Sequence, residues 1–222
     1  MYRKHHTRGI VVSGKIEGDS NKRINIFTEN FGLINARVQG SRNIHSKLRG
    51  GSQDFSFGEF SLVHGKSGWR VVSARADKNL FEAFRNSPAK LKIVSNILNL
   101  IKKLVSEEAH ISLATAKLSA KSGVFNIVYN FFTFLEKVSH FASSSAKATL
   151  DKEASRGEER NEIILAECLT LIRILHILGY MRHDPELSIL ISSYEINIDD
   201  LETIAPRRSK MVALINESLK AV

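Results

Sequence analysis

Residues 27–50 read FTENFGLINARVQGSRNIHSKLRG, and they contain the clearest strand pattern in the chain. Between positions 33 and 39, apolar residues alternate with polar ones at a period of two. This period is typical of a strand that has one buried and one wet face. A polar and basic segment begins at Gly40. The stretch therefore predicts a half-buried strand that leads into a long basic loop.

Similar patterns on both sides of this strand predict that residues 1–78 form a small all-β domain. The five apolar runs, which turn residues separate, are Gly9 to Lys15, Arg23 to Thr28, Leu33 to Gln39, Glu59 to His64 and Trp69 to Arg75. Five short strands with one long connection suit a partly open five-stranded barrel of the OB type. An SH3-like barrel would give a similar pattern, so the sequence leaves both open.

Beyond position 79 the apolar period changes to three and four residues, which predicts an α-helical bundle domain over residues 79–222. Apolar stripes cover residues 124–142 and 164–178. Ser, Lys and Glu dominate residues 143–160, and this composition predicts a mobile linker inside the helical domain. The predicted fold class is α+β, with an N-terminal OB-type barrel followed by a C-terminal helical bundle.

The net charge of +9 is concentrated in the first third of the chain. Residues 1–80 carry fourteen Lys or Arg against six Asp or Glu, whereas the remainder is close to neutral. Such a local positive field attracts polyanions such as nucleic acid and, less specifically, an acidic membrane surface or partner. A basic face that only keeps the protein in solution is the alternative.

The basic loop and its strand supply candidate residues for binding nucleic acid. The central candidates are Arg37, Arg42, Lys47 and Arg49. Guanidinium and ammonium groups bind phosphate oxygens without reading the base sequence, although a merely solvated loop would have the same composition. The candidates that could extend this surface are Lys22, Arg23, Lys66 and Arg70. Phe31 and Trp69 are candidate platforms for stacked bases, with burial in the barrel core as the alternative.

No catalytic residue, metal or cofactor is predicted. The sequence has no phosphate-binding glycine loop, no clustered carboxylates and no nucleophile with an adjacent base. The single Cys168 excludes an internal disulfide and any zinc site with two cysteines, and the eight histidines form no short-range ligand pair. The N-terminal residues show no export signal and no apolar stretch is long enough for a membrane span, so we expect a cytoplasmic protein.

Residues 27–81 resemble the N-terminal domain of the RecO family of bacterial recombination mediators. The similarity rests on Thr28 and Gly32 around a turn, on a strand that enters a Gly-x-Arg loop at Gly40, and on the basic residues 47–50. It is strongest over residues 8 to 81. In the helical part, IRILHILGY at 172–180 resembles a family helix that ends in Leu-Gly-Tyr.

The resemblance implies a role in DNA repair and homologous recombination, carried out by an OB-fold and an α-helical domain without enzymatic activity. It implies binding to single- and double-stranded DNA, annealing of complementary strands and cooperation with RecR. It also implies remodelling of single-strand binding protein so that RecA can load. An OB-fold RNA-binding accessory factor is the alternative, and an enzyme with a dispersed active site comes third.

The sequence departs from the family pattern in its helical part. Many members carry a cysteine zinc knuckle there, whereas this chain has only Cys168, so the metal is not carried over. The partner-binding residues of the family have no clear match. Because an acidic tail that ends in phenylalanine requires a cation beside an apolar pocket, we hypothesise anchors for the tail of single-strand binding protein. These anchors are Arg173, Arg207 and Arg208.

Overall fold

The structure is a computed structural model. It describes residues 3–105, 115–144, 151–181, 184–187, 190–191 and 193–220. The chain divides into two compact units, Met1–Phe125 and Asn126–Val222. The predicted boundary after residue 78 marks the change from strands to helices, whereas the compact units divide later in the sequence.

Five strands make up most of the first 79 residues. They are β1 Lys4–Glu17, β2 Asn21–Thr28, β3 Gly32–Val38, β4 Ser56–Gly65 and β5 Gly68–Asn79. Each predicted run falls on one of these strands, except that Gln39 lies just beyond the end of β3. The strands β1, β4 and β5 extend by several residues beyond the predicted runs. In β3, buried Ala36 and Val38 flank exposed Arg37, as the period of two predicts.

The five strands pair in the order β1-β2-β3-β5-β4 and close into a barrel. Four of the five pairings are antiparallel. The closing pair, β3 with β5, is parallel and joins Ala36–Val38 to Trp69–Val71. The chain reaches this order because the long connection after β3 carries it to β4, which pairs with β1. The N-terminal part is therefore a five-stranded closed sheet, followed by helices in an α+β fold.

Side chains that alternate along the strands fill the barrel. Its core contains Val11, Ile24, Ile26, Ile34, Ala36, Val38, Phe60, Leu62, Trp69, Val71 and Ala74. Two glycines allow backbone segments to approach closely. A Cβ atom at Gly58, beside a register shift in the β4–β5 pair, would overlap the carbonyl oxygen of Arg75. A Cβ at Gly51 would lie 2.8 Å from the carbonyl oxygen of Ala74.

Among the described residues, three helices lie wholly within the first unit: α1 Leu48–Gly51, α2 Leu80–Phe84 and α3 Pro88–Leu104. The Asn79 side chain begins α2 by accepting hydrogen bonds from the backbone N–H groups of Phe81 and Glu82. The buried side of α3 carries Val94, Ile97, Leu98 and Ile101, whose three- and four-residue spacing places them on one face. This face contacts β1.

The helices that follow are α4 Thr115–Ser144, α5 Asp151–Ile177, α6 Ile198–Ile204 and α7 Arg208–Lys220. The predicted apolar stripe at 164–178 lies on α5, which contacts both α6 and α7. The predicted linker at 143–160 differs from the structure, because residues from Asp151 onward already belong to α5. Residues 145–150 lie outside the described residues.

The packing of these helices into a bundle domain stays a prediction. Within the described ranges, no helix combines the length and apolarity that a membrane span requires.

We expect Gly58→Ala to destabilise the barrel by about 1–3 kcal/mol, because the added methyl group would displace the backbone of β5. Gly50→Ala is the matched control, since a Cβ there meets nothing within 4 Å. Urea unfolding followed by fluorescence reports on the barrel directly, because the single Trp69 lies in its core. Equal midpoints for the two variants would contradict the close packing at Gly58.

Candidate nucleic-acid interface

Four basic residues stand side by side on the outer face of four neighbouring strands. Strand register places Lys15 of β1 beside Arg23 of β2, Arg23 beside Arg37 of β3, and Arg37 beside Arg70 of β5. We call Lys15, Arg23, Arg37 and Arg70 the basic row. Like charges in register on adjacent strands repel each other, so this arrangement lowers the stability of the free barrel.

Glu17 partly neutralises the centre of the basic row. Its Oε1 accepts hydrogen bonds from Nη2 of Arg23 at 2.7 Å and from Nε of Arg23 at 3.2 Å. Its Oε2 lies 3.1 Å from Nε of Arg37. The hydrogen bonds from Arg23 and the charges of both arginines lower the pKa of Glu17, so the carboxylate is ionised at neutral pH. Lys15 and Arg70 make no ion pair with any described residue.

A ladder of neutral polar side chains lies beside the basic row on the same outer face. Nδ2 of Asn35 donates to Oδ1 of Asn25 at 2.6 Å, and Nδ2 of Asn25 donates to Oγ of Ser13 at 3.2 Å. Nη1 of Arg23 donates to Oδ1 of Asn35 at 3.2 Å, which connects the ladder to the row. These hydrogen bonds fix the orientation of Arg23.

The turn between β4 and β5 adds a concave basic surface next to the row. A cavity of about 400 Å³ is lined by Arg37, Arg70 and Lys66, together with Ser67 and the backbone of the turn. Lys66 and Arg70 are exposed and have no acidic partner among the described residues. The cavity therefore presents three cations to solvent.

The basic loop after β3 is held against the turn between β1 and β2. Nη1 of Arg42 donates to the carbonyl oxygens of Gly18 at 3.3 Å and Asp19 at 2.8 Å. Arg42 therefore anchors the loop with part of its guanidinium group. Lys47 and Arg49, at the start of α1, are exposed and make no ion pair with a described residue. Their charges are available to a ligand.

The predicted residue Lys22 has a structural role instead. Its Nζ donates to Oδ1 of Asp54 at 2.9 Å and to the carbonyl oxygen of Ser52 at 3.0 Å. These bonds connect β2 to the end of the long connection and neutralise the ammonium charge. The charge of Lys22 is therefore already paired in the free protein, and Lys22 stays only a predicted contact.

The two aromatic candidates do not form an exposed stacking surface. The rings of Phe31 and Trp69 pack together at 5.1 Å, and Trp69 is only 8% exposed. His5 and His64 cover Trp69 edge-on at 5.6 and 4.8 Å. The alternative of burial therefore applies to Trp69, and Phe31 is partly buried against the core.

The three partner anchors predicted in the helical part lie in different environments. Arg173 is completely buried in α5, and it donates from Nε and Nη1 to the carbonyl oxygens of Leu190 and Glu195, both at 2.8 Å. Burial lowers the pKa of Arg173 to about 10. This residue holds the chain after α5 in place, so its prediction as an exposed anchor is wrong. Arg207 is half-buried and Arg208 is exposed.

Sequence reasoning missed Lys15 and Glu17. Neither residue lies in a basic segment, and only the register of β1 with β2 brings them to the row. Within the described parts of the chain, no group of three or more His, Cys, Asp or Glu side chains is arranged to hold a metal ion.

These features define the class of protein: a small closed β-barrel with a basic outer face, followed by helices. Residues 1–74 match the family model described as the N-terminal domain of recombination protein O. The resemblance of the N-terminal part of the chain to the RecO family is thus confirmed over residues 1–74.

Curated relatives show the same resemblance. The chain is 31% identical over 101 residues to the DNA repair protein RecO of Alkaliphilus metalliredigens, covering 46% of this chain and 41% of the relative. It is 40% identical over 74 residues to the DNA repair protein RecO of Synechocystis, which covers 33% of this chain and 27% of the relative. It is 29% identical over 101 residues to the DNA repair protein RecO of Acetivibrio thermocellus, which covers 46% of this chain and 40% of the relative. The match thus spans less than half the length of each of these three relatives.

We expect Arg70→Thr to stabilise the barrel by about 0.2–1 kcal/mol at low salt, because it removes a like charge beside Arg37. The gain should shrink in 1 M salt, where the screening length falls to about 3 Å. Arg75→Thr is the matched control on β5, since Arg75 stands in register with Glu59 and lies 4.0 Å from Asp77. Thermal unfolding at both salt concentrations decides the matter, and equal shifts for the two variants would contradict the repulsion.

Proposed function

We propose that this protein binds the sugar–phosphate backbone of DNA through the outer face of β2 and β3 and the loops beside it. The observation that carries the proposal is the basic row, whose Arg37 and Arg70 also line the cavity at Lys66. Lys47 and Arg49 add exposed charge in the connection that follows β3. Cations crowded together without enough acidic partners are stabilised by a polyanion. A nucleic-acid strand supplies phosphates at regular intervals along such a surface.

The barrel topology supports the same proposal. We assign the barrel to the OB type, because its five strands close in the order β1-β2-β3-β5-β4. Barrels of that type bind oligonucleotides on the face of the second and third strands, between the loops that follow the first and fourth strands. In this chain those loops are residues 18–20 and 66–67, and they flank the basic row. We further propose that residues 79–222 form a separate α-helical domain.

The proposed binding is independent of base sequence. Guanidinium and ammonium groups bind phosphate oxygens, which carry no information about the base. Because the barrel has no exposed aromatic side chain among its described residues, affinity should depend mainly on charge and therefore on salt. Single- and double-stranded DNA are both expected ligands.

Charge neutralisation also gives a physical route to strand annealing. Two complementary strands repel each other through their phosphates, and a basic surface that binds both lowers this repulsion. The surface also raises the local concentration of each strand. No bond is made or broken in this process, so we propose a mediator of DNA repair and recombination that is not an enzyme and needs no metal or cofactor.

The wider role follows from the family resemblance and from relatives that carry the name DNA repair protein RecO. We propose a bacterial cytoplasmic protein that acts with RecR to load RecA onto DNA coated with single-strand binding protein. Arg207 and Arg208 remain the proposed anchors for the acidic tail of that protein. Because Arg173 is buried, it contributes only by holding the surrounding chain.

Replacing Arg49 and Arg70 together by Ala should weaken binding to oligothymidylate and to mixed-sequence strands alike. Each lost phosphate contact on a single strand flattens the slope of log affinity against log salt by about 0.7, so the double variant should lose about 1.4 units. Fluorescence anisotropy titrations from low to high salt measure the slope. Arg42 is left intact because it also anchors the loop.

The control is Lys92→Ala with Lys102→Ala, which removes the same charge from exposed positions of α3. An unchanged slope in the Arg49 and Arg70 variant would contradict the proposed surface. A strand-annealing assay on DNA coated with single-strand binding protein tests the mediator role. Much tighter binding to RNA than to DNA, without annealing, would favour the RNA-binding alternative.

A further inference from the structure

The carboxylate of Glu17 lies between two arginines of the basic row. Arg23 donates two hydrogen bonds to its Oε1, and Nε of Arg37 approaches its Oε2 at 3.1 Å. A carboxylate and a phosphodiester each carry one negative charge, and both accept hydrogen bonds from guanidinium groups in the same way. The side chain of Glu17 therefore resembles a bound ligand that the chain itself provides.

The two arginines are held by Glu17 to different degrees. Arg23 is oriented by Glu17 and Asn35 together. Arg37 only makes a charge contact, because Oε2 of Glu17 is buried and accepts no hydrogen bond in the described structure. The side chain of Arg37 is 51% exposed and lines the cavity beside Arg70. Arg37 can therefore exchange the carboxylate for an external anion without losing a hydrogen bond.

We propose that the space between Arg23 and Arg37 is a phosphodiester-binding subsite that Glu17 fills in the free protein and leaves when a DNA strand binds. The inference rests on the proposed function and adds how that site selects its ligand. A phosphate must displace Glu17 from the two arginines, and the free-energy cost of this displacement weakens the binding of isolated anions. A strand already held at Lys15 and Arg70 presents its next phosphate at high local concentration, so the displacement becomes favourable.

This subsite gives Glu17 two effects on the protein. In the free barrel it reduces the repulsion between Arg23 and Arg37, which stand in register. In the presence of nucleic acid it competes with phosphate for the same two guanidinium groups. A purely structural ion pair would have the first effect without the second, and this difference makes the proposal testable.

The test compares Glu17→Gln with Asp19→Asn in the full chain, with oligothymidylate as the probe. Both substitutions remove one negative charge from the same end of the barrel, Glu17 at the end of β1 and Asp19 in the turn that follows. Asp19 is exposed, however, and its carboxylate makes no ion pair with a described residue. In the wild type, DNA must break the ion pairs of Glu17 with Arg23 and Arg37, and each exposed pair is weak on its own. Glu17→Gln removes both pairs in advance, so it should tighten DNA binding on the order of tenfold. Asp19→Asn should have a much smaller effect.

A second comparison separates competition from a general change of charge. In a background with Arg23→Gln and Arg37→Gln, the gain from Glu17→Gln should fall to that of Asp19→Asn, because no guanidinium group remains to be released. Glu17→Asp keeps the charge on a shorter side chain that cannot reach both arginines, so its affinity should lie between wild type and Glu17→Gln. This variant also keeps the test valid if Glu17→Gln folds poorly.

Equal gains in affinity for Glu17→Gln and Asp19→Asn would overturn the subsite, and so would a gain that persists without the two arginines. In either case the wild-type protein would still bind oligothymidylate in a salt-dependent way. If the wild-type protein does not bind oligothymidylate, the proposed function itself is overturned. The two failures are therefore distinguishable in the same titrations.

Discussion

The parallel pairing of Ala36–Val38 with Trp69–Val71 is the constraint on which the barrel surface depends. This short segment is the parallel pairing of the closed barrel, and the four other neighbouring pairs are antiparallel. The same register that buries Val38 and Val71 inside the barrel places Arg37 beside Arg70 outside. Closure of the hydrophobic core and assembly of the basic row are therefore one event, and a register slip would remove both.

The distribution of acidic partners decides which cations remain available to a ligand. Asp54 neutralises Lys22, and Glu29 pairs with Arg8 at 2.9 Å. Glu17 pairs with Arg23 and Arg37 at the centre of the row. These carboxylates stabilise the fold at positions where charge would otherwise be crowded. Among the described cations without an acidic partner, Lys15 and Arg70 lie at the ends of the row, Lys66 lies at the cavity, and Lys47 and Arg49 lie in the loop. The protein thereby retains local repulsion at the surface that we propose binds DNA, a compromise between stability and function.

Local patterns predicted the strands, whereas long-range contacts decided which charges belong to the site. The period of two identified β3 and exposed Arg37 because alternation is a property of neighbouring residues. Lys15 was missed because its place depends on pairing with β2. The ion pair of Lys22 could not be predicted, because its partner Asp54 is 32 residues away in sequence. Arg173 was misassigned for the same reason, since the carbonyl groups that it binds follow α5 by many residues.

The central claim is that a DNA strand lies on the outer face of β2 and β3 and the loops beside it. Hydrogen exchange of the full chain, measured by mass spectrometry with and without oligothymidylate, tests this claim most directly. We expect slower exchange in peptides that cover residues 15–25, 35–49 and 64–71, at low salt and not at high salt. Protection confined to residues 126–222, with the barrel peptides unchanged, would contradict it.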